Sequence, residues 1–337
     1  PFFHWILMPT VDSAPQQEDW IDTFLHADAI FTYSDFGRDT LANQSNGKVN
    51  YIDTVSPGIN LDMFKPLPNR EEVRKQLGVD DKFIIGGIMR NQKRKLIPEL
   101  LAAFKQLLTE MQEENNPMGE KLHLLLHTSY PDAGWEIPKL LKENEIGNRV
   151  LFTYQCKQCN FFRPIRFEHP LSICPKCGQK SMAMPNVSAG LTQQELNLII
   201  NTFDLYVQYA ICEGFGMPQV EAAATGAPIA SVDYSAMNDV VHKLNGYPIK
   251  VNQYFKELET QALRVYPDNN SLIKIIKDYL ALPDILKQQK RHETRQLVEK
   301  HYNWDDIAKK WEHYLDNIQL TGLQGQWEQR LPPIKPL

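Results

Sequence analysis

Residues 213–228 read EGFGMPQVEAAATGAP. Two carboxylates, Glu213 and Glu221, stand eight positions apart, and Gly214, Phe215, Gly216, Met217 and Pro218 lie between them. The strand-like run DLYVQYA leads into the glycines, and Pro218 suits the first turn of a helix. Free N–H groups at a helix start attract anions, and glycine lets a phosphate come close. A carboxylate beside a phosphate site needs some other partner. An ionised Glu only accepts hydrogen bonds, and sugar or ribose hydroxyls donate them. The stretch suits a ligand that is both phosphate and polyol. In the plainer reading Glu213 caps the helix and Glu221 is a surface residue, and a G-x-G alone does not decide between the two.

Upstream, GGIMRNQKRK at 86–95 follows a buried strand and sets Arg90 and Lys95 in the next loop. Open α/β sheets bind ligands at the carboxyl ends of their strands. Two cations there suit a diphosphate, Arg as a fork and Lys as a point charge. A solvated basic loop of Lys93, Arg94 and Lys95 is the alternative. The rest of the chain fits an α/β protein. HWILMPTVD, DAIFTYS and KVNYIDTV read as strands alternating with the helices EDWIDTFLHA and DFGRDTLANQ. Residues 56–69, SPGINLDMFKPLPN, read as a linker. A second series follows: strand KFIIGGIM, helix LIPELLAAFKQLLTEM, strands KLHLLLHTS and RVLFTYQ, helix LTQQELNLIINTF, then strands DLYVQYA and APIASVD. The chain closes with helical segments, including NWDDIAKKWEHYLDNIQ, where Asn303 caps a helix with Trp304, Ile307, Trp311 and Tyr314 on one stripe.

The length of 337 residues suggests two domains. The 36 Lys and Arg against 41 Asp and Glu give a net charge of −5, which argues against a dedicated nucleic-acid binder. No apolar run is long enough to span a bilayer, and PFFHWILMP has no basic stretch or cleavage site of a signal peptide. Of five cysteines, Cys156, Cys159, Cys174 and Cys177 form CxxC-x14-CxxC. That spacing points to a structural Zn²⁺ and a reducing compartment. Four thiolates close a tetrahedron and leave no place for water; His169 is not needed. Cys212 is read as a small buried filler.

Taken together, Arg90-x4-Lys95, Glu213-Gly-Phe-Gly-x4-Glu221-Ala, Gly226-x-Pro228, SPGINLDMFKP and NWDDIAKKW resemble the retaining glycosyltransferases of the GT-B fold, family 4. The resemblance implies two Rossmann-like domains and transfer of a sugar from a UDP- or GDP-sugar, with retention at the anomeric carbon. Arg90 and Lys95 would hold the diphosphate, Glu213 the sugar hydroxyls and Glu221 the ribose. Gly214, Phe215, Gly216 and Met217 would line the donor. No catalytic metal is expected. Where the family carries a histidine in its first domain, this chain has Asp12, read either as a sugar-hydroxyl acceptor or as a helix cap. Asp233-Tyr234-Ser235-Ala236 stands where a Gly-Gly pair is usual, and the cysteine segment is an insert. The expected division is 1–68 for the later part of the first domain and linker, 69–302 for the nucleotide-sugar domain with a zinc ribbon at 156–181, and 303–337 for a helix and tail packing back on the first domain. The chain is expected to begin inside that first domain, so that transfer is weak or absent while nucleotide still binds. The acceptor is a glycan, lipid or protein. The expected location is cytoplasmic, with peripheral membrane association left open. The alternative is a non-catalytic nucleotide- or glycan-binding GT-B protein whose ribbon mediates interaction.

Overall fold

The computed structural model describes residues 3–168, 171–186 and 188–318. His169 and the tail beyond 318 lie outside them. The chain opens with β1 (Ile6–Leu7), α1 (Glu18–Leu25), β2 (Ala29–Thr32), α2 (Asp35–Gln44) and β3 (Tyr51–Thr54). These strands form a parallel three-stranded sheet in sequence order. Ser34 caps α2 by accepting from the Gly37 N–H, so the helix starts where the short polar side chain can satisfy a free donor. Residues 56–69 are no loose linker. Ile59 and Phe64 are buried, and Arg295 donates to the carbonyls of Phe64, Ala224 and Leu61.

The second series runs α3 (Arg70–Leu77), β4 (Phe83–Ile88), α4 (Ile97–Glu113), β5 (Leu122–His127), α5 (Ile137–Glu143) and β6 (Val150–Cys156). Three short strands follow: β7 (Phe162–Arg166), β8 (Ser172–Ile173) and β9 (Lys180–Ala183). Then come α6 (Gln193–Ile200), β10 (Leu205–Gln208), α7 (Met217–Ala224), β11 (Ile229–Val232), α8 (Ala236–Lys243) and β12 (Tyr247–Ile249). The parallel strands lie in the order β12-β11-β10-β4-β5-β6, that of a doubly wound nucleotide-binding sheet. Most of their residues are apolar and buried because helices cover both faces, while His127 and Gln208 stand at the ends of β5 and β10. β7 and β9 pair antiparallel with β6, so the cysteine insert extends the large sheet instead of forming a separate knob.

A hairpin, β13 (Val251–Lys256) and β14 (Leu263–Pro267), precedes α9 (Asn269–Ala281), α10 (Asp284–His301) and α11 (Trp304–Asn317). The hairpin departs from the expected all-helical close. α11 packs back on the small sheet: Ile307 joins Ala29, Phe31 and Val55, and Trp311 and Tyr314 lie 4.3 and 5.0 Å from the Phe31 ring. Trp304, placed on the same stripe by periodicity, is half exposed. Among the described residues, no helix is long and apolar enough to cross a membrane.

Candidate functional site

The large sheet reverses its strand order between β4 and β10, and the loops after both strands enter one cleft. Such a reversal is where open α/β sheets take ligands. The Ile211 N–H donates to the Arg94 carbonyl at 3.0 Å, tying the two loops together. Lys95 and Glu213 meet between them, their side chains 8 % and 7 % exposed. Lys95 Nζ donates to Glu213 Oε1, Arg94 Nη1 to Oε2 at 3.0 Å, and Gln208 Nε2 to Oε1 at 2.9 Å. Burial draws the Lys95 pKa down, and the Glu213 charge opposes it. Removing one member of such a pair leaves a buried charge uncompensated.

Arg90 takes a different place. Its guanidinium forks onto Asp132, with Nε 2.9 Å from Oδ2 and Nη2 3.0 Å from Oδ1. Asp132 also accepts from the Ser129 hydroxyl and the Ala133 N–H. The cation that shares Glu213 with Lys95 is therefore Arg94, one residue away along a 3-10 turn at Lys93–Lys95. Charge alone marked Arg94 in the sequence; its partner was set by that turn.

Gly216 precedes α7 at φ +84°, a backbone conformation that favours glycine. Glu213 does not cap this helix: the cap position is Gly216, and no side chain caps it. Among the described residues, the N–H groups of Gly214, Phe215, Gly216 and Met217 have no acceptor. They lead into the start of α7, where backbone dipoles favour an anion. Glu221 sits half-buried one turn further along. Burial pushes its carboxyl up to about 7, and it has no hydrogen-bond partner among the described residues. Across the cleft, His127 Nδ1 and Thr128 Oγ1 at the end of β5 are buried and have no hydrogen-bond partner among the described residues. Burial pushes the His127 pKa down to about 4. Arg90, Arg94, Lys95, His127, Thr128 and Pro185 line a cavity of about 420 Å³ here.

Asp12 stands at the other side of the cleft and caps no helix, since α1 begins at Glu18 with Gln17 before it. Its Oδ1 accepts from Arg264 Nη1 at 2.9 Å, joining the small sheet to the β13–β14 hairpin. Arg264 also donates to Glu257 at 2.7 Å and to the Cys212 sulfur at 2.9 Å. Burial alone would raise the Asp12 pKa, but Arg264, together with hydrogen bonds from Ser13 and Cys212, holds the carboxyl below its usual range. A Cβ at Gly214 would collide with the Thr10 methyl, so the two units meet closely at the glycine turn.

The Sγ atoms of Cys156, Cys159, Cys174 and Cys177 all lie within 4.8 Å of one another. Cys156–Cys177 and Cys159–Cys174 approach to 3.6 and 3.7 Å. Four sulfurs at Zn–S distances of 2.3 Å around a tetrahedral ion stand about 3.8 Å apart, so the cluster fits Zn²⁺. Each CxxC turn closes in the same way: Asn160 N–H donates to the Cys156 carbonyl and Gly178 N–H to that of Cys174. Both closing residues have positive φ.

No protein-family model matches the chain, and no curated protein sequence matches it. In structure it is similar to sucrose-phosphate synthase from Thermosynechococcus elongatus, with a TM-score of 0.65 and 19% identity over 93% of this chain and 67% of that one. It is similar to Anabaena HepE in complex with UDP, with a TM-score of 0.60 and 16% identity over 87% of this chain and 64% of that one. A glycosyltransferase from Rickettsia africae matches with a TM-score of 0.62 and 12% identity over 93% of this chain and 71% of that one. The chain thus spans about two thirds of the length of these neighbours, and it has the GT-B fold of glycosyltransferases with a four-cysteine insert in its larger sheet.

Proposed function

We propose that this protein transfers a sugar from a nucleoside-diphosphate sugar to an acceptor, with retention of anomeric configuration. The single observation that carries this reading is the buried Glu213 carboxylate between Lys95 and Arg94, beside a row of free N–H groups at the start of α7. When the bond from the anomeric carbon to the diphosphate breaks, the electron pair stays on the diphosphate. Preorganised cations and dipoles stabilise that charge. Lys95, with Arg90 and Arg94 at the rim, holds the diphosphate. Glu213 turns toward sugar hydroxyls, Gly214, Phe215, Gly216 and Met217 line the donor, and Glu221 receives the ribose hydroxyls. The positive charge of this set makes a divalent cation unnecessary for diphosphate binding. The donor is a UDP- or GDP-sugar, a class supported by the UDP-bound neighbour. The four cysteines hold one structural Zn²⁺.

The test is proton NMR of the sugar first released from α-linked UDP- and GDP-sugars in water. The α anomer should form first, and first formation of the β anomer would contradict retention. A second reading, nucleotide binding without transfer, is favoured by the Asp12–Arg264 bridge and the Thr10–Gly214 contact, which bring protein side chains close against the glycine turn. It predicts tight nucleotide diphosphate binding with no sugar released.

A further inference from the structure

The sugar chemistry proposed above makes no use of the four-cysteine unit, yet that unit reaches the cleft by two routes. The first follows the chain. β9 pairs with the end of β6, Gln155 opposite Ala183 and Cys156 opposite Met182. The backbone then passes through buried Met184 and Pro185 to Asn186. Pro185 and Asn186 form one wall of the 420 Å³ cavity, facing Lys95, His127 and Thr128. Asn186 closes its own turn by accepting from the Ser188 and Ala189 N–H groups, both at 2.9 Å. The second route is a side-chain stack. Phe167, just after β7, lies edge-on to Phe152 of β6 at 5.9 Å and to Tyr130 at 5.6 Å. Tyr130 follows Ser129 and precedes Asp132, and those two groups hold Arg90 in place.

The unit has little apolar core of its own. Its buried Cys156, Cys174 and Met182 lie in the same apolar cluster as the large sheet's Leu124, Val150 and Phe152. Small four-cysteine units of this kind take their order from the metal, whose binding free energy is folding free energy. We infer that the metal in this ribbon sets the affinity of the cleft for its nucleotide diphosphate, because it holds Pro185, Asn186 and the Tyr130 loop in their places on the cleft wall. The inference rests on the donor reading above for the identity of the ligand. The coupling itself concerns only the packing of this chain.

The experiment uses the full chain, stripped of metal by a chelator in the presence of a phosphine reductant and then reloaded with Zn²⁺. UDP and GDP binding are measured by calorimetry in each state, and hydrogen exchange is followed across 127–132, 182–186 and 205–208. Stripping should weaken nucleotide binding at least tenfold and speed exchange at 127–132 and 182–186. It should leave 205–208, in the middle of the large sheet, protected, and Zn²⁺ should reverse both changes. Phe167→Ala keeps all four cysteines. It should retain one metal per chain while exchange at 129–132 rises and nucleotide affinity falls. Equal affinity and equal exchange at 127–132 with and without metal would overturn the inference. A loaded chain that binds neither nucleotide would overturn the donor reading instead. In that case the exchange at 127–132 alone decides the coupling, and unchanged exchange defeats it.

Discussion

The ribbon and the cleft both concentrate ionisable groups, but they assemble them in opposite ways. The ribbon draws its four sulfurs from two short turns within 156–177, each closed by one local hydrogen bond. The cleft joins Lys95 to Glu213 across 118 positions and Arg264 to Asp12 across 252. In the ribbon, a metal ion held by the four sulfurs would supply order that the segment's few buried side chains do not. In the cleft, no single turn places the charges. The strand order of the large sheet does so for Lys95 and Glu213, and the packing of the β13–β14 hairpin against the small-sheet unit does so for Arg264 and Asp12. One arrangement should therefore fail locally when a ligand is lost, and the other should fail with the whole sheet.

The largest effect that would test this contrast is expected from Cys174→Ser. It should release the metal, and structural Zn²⁺ binding is worth on the order of 10 kcal/mol in small zinc units. The loss should stay within the ribbon, with metal content falling from one ion per chain to none by elemental analysis. Cys212→Ser should keep the metal, since the Cys212 sulfur lies with Asp12 and Arg264. Global unfolding in step with metal loss would break the contrast. Next comes Lys95→Met, which strands a buried carboxylate and should cost about 3–5 kcal/mol in urea unfolding. Arg94→Met should cost less than about 1 kcal/mol, because Arg94 is 41% exposed. Equal costs would show that the pair is not buried as described.

Asp12→Ala removes one charged hydrogen bond to Arg264 and should cost about 1.5–3 kcal/mol. It should also loosen the small sheet from the hairpin, seen as faster exchange at 263–265. The smallest effect concerns Glu221. Its carboxyl is raised to about 7 in the folded chain against an ordinary 4.5, so the native state holds more protons between those values. Stability should fall as pH rises through that window. Nucleotide affinity should change in the other direction, rising by up to roughly tenfold from pH 6 to 8 as the ionised acceptor forms. Glu221→Gln should flatten both profiles.

The two regions also differ in how far they could be read from sequence. The cysteine spacing is a local pattern, and the cluster stands where that pattern puts it. The helix DFGRDTLANQ is likewise α2 residue for residue, because Ser34 and the apolar spacing act within one turn. The glycine turn and Pro218 marked the start of α7 for the same reason. Partners in the cleft depend on more than local order. Arg94 rather than Arg90 lies on Glu213 because a 3-10 turn at Lys93–Lys95 re-aims the chain, and nothing in KRK announces that turn. Nothing in the sequence marks Arg264. Its hairpin turns through ELETQA at 257–262, which has none of the Gly, Pro or Asn residues that mark a turn. Asp132 and His127 become recognisable only when β4 and β5 are known to be neighbours.

The proposed diphosphate site lies at the ends of β4 and β10, around Lys95. The most direct measurement is calorimetric titration of UDP, GDP and ADP into the metal-loaded chain and into its Lys95→Ala variant. At least one diphosphate should bind without added divalent cation, and Lys95→Ala should weaken it at least a hundredfold, with the variant still folded by circular dichroism. Binding that survives Lys95→Ala unchanged, or no binding of any of the three by the loaded chain, would contradict it.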